Sequence, residues 1–121
     1  MTVKLHESAF DHAKELIRKG RVKADKRDDW SEHRPSAENE NKFISAHGYN
    51  EYGKWFLGID DEKPAETKGR YEFPIGDFKV IHLCGVLAAE SRAGQYKHVD
   101  IEAAAAHLHG MIMAKAKKRA A

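Results

Sequence analysis

Eight histidines and a single cysteine are the side chains from which a metal site or a nucleophilic centre would be built. His107 and His109, two apart on a helix, point their rings about 200° from each other, so they do not chelate one ion. His98 with Glu102, and His12 with Glu15, are spaced to share a helical face. Two ligands fall short of a tetrahedral zinc shell, and neither an HExxH nor a paired CxxC motif occurs. The expectation is no metal and no cofactor. Cys84 falls on the inward stripe of an apolar helix, which predicts a small buried hydrophobe. A reactive thiol needs exposure and a lowered pKa. Cys84 facing solvent beside an imidazole and an acid would instead open hydrolase or transferase chemistry. No GxSxG elbow or SxxK motif offers a serine. Asp25, Asp28, Asp29 and Glu32, and again Asp60, Asp61 and Glu62, cluster in charged stretches that read as solvated loops. Gly48, Gly53 and Gly58 are too widely spaced for a phosphate loop. No catalytic residue is assigned.

Binding chemistry has two candidate locations. Arg92, Gln95, Tyr96, Lys97 and His98 cluster where two helices meet, and Trp30 stands with Asp29 and His33 on a charged connector. Polar and aromatic groups carried on loops of a rigid frame are the usual makings of a recognition surface. The second location is basic. Acids and bases balance at eleven each through Asp60, and the net charge of +2 comes from Lys115, Lys117, Lys118 and Arg119 near the end of the chain. These four are candidate polyanion contacts. A helix-turn-helix reading of the last two helices fails on the first turn of the second, where Asp100 and Glu102 would meet phosphates.

The elements that position these groups follow from pattern. The 121 residues, 41% hydrophobic and 33% charged, fit one domain with one core. A compact unit is expected over residues 1–113, with 114–121 as a basic, frayed tail. Phe10, Ala13, Leu16 and Ile17 share a face of a helix from about Ala9 to Lys19, stopped by Gly20. Residues 21–35 have no apolar period and form a connector. Ser36 caps a second helix that ends at Gly48. Trp55, Leu57 and Ile59 alternate as a strand, and Tyr71 and Phe73 mark a second strand paired antiparallel to it. Asp77 is the expected N-cap of a third, broadly apolar helix through Val80, Leu83, Cys84 and Leu87, ending at Gly94. A fourth helix, from near Val99, packs through Ile101, Ala104, Ala105, Leu108 and Ile112. The fold class is therefore α+β: four helices, a two-stranded antiparallel sheet and a C-terminal αα-hairpin. No run is long and apolar enough to span a membrane. One cysteine forms no internal disulfide, which points to a reducing, cytoplasmic setting.

The phrases DDWSEH (Asp28 to His33), RYEFPIGDF (Arg70 to Phe78), CGVLAAESRAGQYKH (Cys84 to His98) and IEAAAAHL (Ile101 to Leu108) resemble a family of short bacterial proteins to which no activity is assigned. A looser echo occurs in phage-associated proteins. The resemblance implies a bacterial, cytoplasmic protein and carries no mechanism. From the residues, the expected function is a non-enzymatic module that binds a partner protein through the Arg92 to His98 corner and Trp30. The alternatives are weak nonspecific nucleic-acid association through the basic tail, and an enzyme with a dispersed site.

Overall fold

The computed structural model describes residues 3–120, the side chains of 119 and 120 excepted. The chain is α+β, with five α-helices and two small sheets among the described residues. β1 (Val3–Leu5) leads into α1 (Glu7–Arg18), and β2 (Val22–Lys23) opens the connector. A 3₁₀ turn at Arg27–Asp29 runs into α2 (Trp30–His33), a single helical turn. α3 (Ala37–Gly53) is capped by the Ser36 hydroxyl, which accepts from the Asn39 amide at 3.1 Å. Gly48, at φ 86°, breaks its helical run where the expected helix ended. β3 (Phe56–Asp60), β4 (Tyr71–Pro74), β5 (Ile81–His82), α4 (Leu83–Gln95) and α5 (Val99–Ala120) complete the order.

The antiparallel pairing of β3 with β4 is as expected, with Gly58 opposite Glu72. The sheet is wider than the expected two strands, because β1 pairs antiparallel with β3 on its other edge. Val3, Lys4 and Leu5 alternate over too few residues to read as a strand. The alternation at Trp55, Leu57 and Ile59 also does not divide core from solvent. Trp55, Phe56 and Leu57 are all buried, since β3 is the central strand of the sheet and is packed by α1, α3 and α5. α4 packs against β4 and, most extensively, against α5, forming the expected C-terminal helix pair. Its inner face buries Val86, Leu87 and Ala93 against Ile101, Leu108 and Ile112 of α5 in one core. α5 continues through the stretch expected as a tail, as far as Ala120.

The second sheet was not expected. β2 and β5 pair in parallel, Val22 with Ile81 and Lys23 with His82. Each strand has only two residues, below the length at which a period of two can be seen. This ladder carries the charged connector to the N-terminus of α4, and everything in the site depends on it.

α4 also starts five residues later than an N-cap at Asp77 would place it. Asp77 caps no helix. Its Oδ1 accepts from the amides of Lys79 and Val80 at 3.0 and 2.9 Å, closing a tight turn. Phe78 in that turn has φ 72°, a left-handed conformation that a bulky residue adopts only under strain. Phe78 stacks on Phe43 at 4.6 Å between centroids, and that packing holds the turn.

Candidate metal centre

In the parallel ladder each β2 residue faces the residue 59 positions later, and the same offset sets Asp25 level with Cys84. Cys84 is the second residue of α4, where the helix has unpaired amides to offer. The Oδ1 of Asp25 accepts from the Cys84 amide at 2.7 Å, so a residue from the connector caps a helix it is not part of. His82, the N-cap position itself, makes no side-chain cap bond.

The other carboxylate oxygen of Asp25 is the focus of the cluster. Its Oδ2 lies 2.6 Å from Nδ1 of His82 and 2.7 Å from Nδ1 of His33. The Sγ of Cys84 is 3.7 Å from the same His33 nitrogen. One oxygen, two imidazole nitrogens and one sulfur all lie within 4.8 Å of one another. The Asp25 side chain is 8% exposed and that of His82 3%, while Cys84 is fully buried. His33 is the outward member at 32%. It lines, with Asp77, a cleft of about 570 Å³ that reaches the cluster from solvent.

Beyond the cluster, Nε2 of His82 is 2.9 Å from Oδ2 of Asp77. His82 is thus held between two carboxylates. With the ring proton on Nδ1, His82 donates to Asp25 across 2.6 Å; with it on Nε2, the ring donates to Asp77 instead and Nδ1 is free to share a metal ion with the Asp25 oxygen. Such a carboxylate behind a histidine is the arrangement that orients a metal-bound imidazole. Burial alone would raise the Asp25 carboxyl. Hydrogen bonds from His82, from the Cys84 amide and thiol and from His33 outweigh it and hold the group down at about 2. Asp77 is held low against burial in the same way, by His82 and the two turn amides.

Two chemistries use a cysteine beside a histidine and an acid. A nucleophile must be ionised and reachable. Burial, with the Asp25 carboxylate beside it, pushes the Cys84 thiol up to about 12, and no part of the residue meets solvent. A metal ion reverses that balance, since a coordinating thiol gives up its proton outright. One sulfur, two nitrogens and one carboxylate oxygen form a mixed shell of the sort that zinc accepts. With zinc bonds of about 2.0–2.3 Å, tetrahedral neighbours stand about 3.3–3.8 Å apart. The Cys84–His33 separation already matches. The two contacts at Asp25 would each open by about 0.6 Å, exchanging hydrogen bonds for metal bonds.

The expectation of buried Cys84 holds, but inert packing is not its whole environment. Asp25 is not a solvated loop acid, because the β2–β5 ladder carries it inward. Trp30 is half-buried, with its ring 6.0 Å from that of His82 and against the Cα of Gly85, where an added Cβ would come within 3.0 Å of the indole. Of the expected corner, Tyr96 is 58% exposed and Gln95 and Lys97 are exposed, whereas His98 packs on Phe73 at 5.6 Å. Arg92 joins Trp30 along one groove and Gln95 and Tyr96 along the next. Lys115 donates to the Arg18 carbonyl, Lys117 and Lys118 are exposed on α5, and the Arg119 side chain lies outside those described. His107 and His109 go separate ways, the first against Phe10 and the second to Glu90 at 3.1 Å. No protein-family model matches the chain, and no curated protein or solved structure is significantly similar to it.

Proposed function

We propose that this chain is a metal-binding protein in which Asp25, His33, His82 and Cys84 hold one zinc ion. The reading is carried by the convergence of four ligand atoms from three separate segments within 4.8 Å. Four protein ligands fill a tetrahedral shell and leave no position for an activated water, which is the pattern of a structural rather than a hydrolytic ion. The ion ties the connector, through Asp25 and His33, to the β5–α4 junction, through His82 and Cys84. Asp77 orients His82 from behind.

The module expected from the sequence gains a physical basis in this reading. No helix among the described residues is long and apolar enough to cross a membrane. The connector that the ion ties down is also the segment that presents Trp30. Metal content of the purified chain tests the proposal. One zinc per chain is expected, falling by at least about tenfold in affinity on Cys84→Ser or His33→Ala. Equal zinc uptake by the parent and a Cys84→Ser/His33→Ala double variant that retains its helical circular-dichroism spectrum would overturn it.

A further inference from the structure

The outer face of α4 and the connector enclose two adjoining grooves that share Ala88 and Arg92. One, of about 240 Å³, is lined by the apolar Phe73, Pro74, Ala88 and Ala89 together with Trp30, Arg34 and Arg92. The other, of about 470 Å³, continues past Arg27 to Tyr96. Tryptophan, tyrosine and arginine are the residues in which binding energy concentrates at protein interfaces. None of Arg27, Arg34 and Arg92 makes an ion pair among the described residues, so all three guanidinium groups are open to an anionic partner. Glu72 is the one acid on the lining of the two grooves. Three unpaired guanidinium forks beside an apolar lining complement carboxylates that flank apolar side chains, since each fork can grip a carboxylate through two parallel bonds.

We infer that this double groove docks an acidic peptide segment of a partner protein, its apolar side chains over Pro74 and Ala88 beside Trp30 and its carboxylates on Arg27, Arg34 and Arg92. The inference rests on the metal reading in one respect, that the ion holds the connector wall carrying Arg27, Trp30 and Arg34 in place. Two arginines and the tryptophan lie within nine residues of Asp25, so the staple and the groove wall are one segment.

The test uses the full chain purified with zinc, a peptide Ac-EELLEE-NH₂ and its lysine counterpart Ac-KKLLKK-NH₂. Backbone and indole shifts of the labelled protein report binding, and metal content is measured on the same sample. Expected are saturable shifts at Trp30, Arg34, Ala88 and Arg92 with the glutamate peptide alone, weakened about tenfold by Arg92→Glu or Arg34→Glu. Both variants change exposed side chains, and unchanged shifts elsewhere verify their fold. Zinc-loaded protein that leaves the glutamate peptide unbound, or binds it equally after both reversals, overturns the docking surface while the metal reading stands. Peptide binding at these amides in a chain that takes up no zinc overturns the metal reading instead. Tighter binding of a single-stranded oligonucleotide at the same amides, with a steep salt dependence, would replace the peptide by nucleic acid.

Discussion

Asp25 does three things with one carboxylate: it caps α4 through the Cys84 amide and meets both His33 and His82. Asp77 does one, setting the His82 ring from the side away from the cluster. If that contact orients a metal ligand, Asp77→Asn should keep the fold and weaken zinc 10–100-fold in a chelator competition, the usual cost of losing such a partner. Unchanged affinity would reduce Asp77 to a turn residue. The burial of Cys84 was legible from its place on an apolar stripe. The company it keeps was not, because its partners stand 51 and 59 positions earlier. Asp25 among Asp28, Asp29 and Glu32 has nothing in its type or neighbours to single it out. Only the tertiary pairing does so.

At the scale of elements, the third helix shows where pattern reading fails. Val80 and Ile81 fit the stripe of α4, yet both precede it, in the turn and strand that deliver His82. An apolar run shorter than about eight residues reads equally as helix or strand, and the parallel β2–β5 ladder decides. The long helices with strong periods were legible, α1 and the α4–α5 pair, and the β3–β4 pairing was legible from its flanking turns and aromatic content. The connector was legible only as a connector. Its docking rests on Gly85, where a methyl group would stand 3.0 Å from the Trp30 ring and 3.2 Å from the Ile75 carbonyl carbon. The backbone of Ile75 cannot yield as a side chain would. Gly85→Ala is expected to destabilise the protein by about 1–3 kcal/mol, as overpacking does, and to shift Trp30 fluorescence. A neutral or stabilising result would mean that Trp30 sits loosely on α4.

Over the whole molecule, stability should depend on pH through histidines remote from the cluster. Burial lowers His6 and His12 below their usual 6.5, opposed by the carbonyls of Phe56 and Gly53 at His6 and of Lys54 at His12. Both rings join the start of the chain to the turn before β3. A folded pKa below the unfolded one means that the unfolded chain binds the proton first as pH falls. The two histidines therefore cost no stability above pH 7, and begin to cost it as pH drops through 6.5. Urea midpoints at pH 7.5 and 5.0 should fall less in a His6→Gln/His12→Gln double variant than in the parent. A larger fall in the variant would reverse the sign of the argument.

Core, helix pair and central sheet together leave one question on which the functional account turns: what stands among Asp25, His33, His82 and Cys84. X-ray absorption at the zinc edge of the purified, zinc-loaded chain answers it directly. The expected first shell is one sulfur at about 2.3 Å and three nitrogen or oxygen atoms at about 2.0–2.1 Å. A shell of oxygen and nitrogen alone, with no sulfur, would place the ion elsewhere and contradict the account.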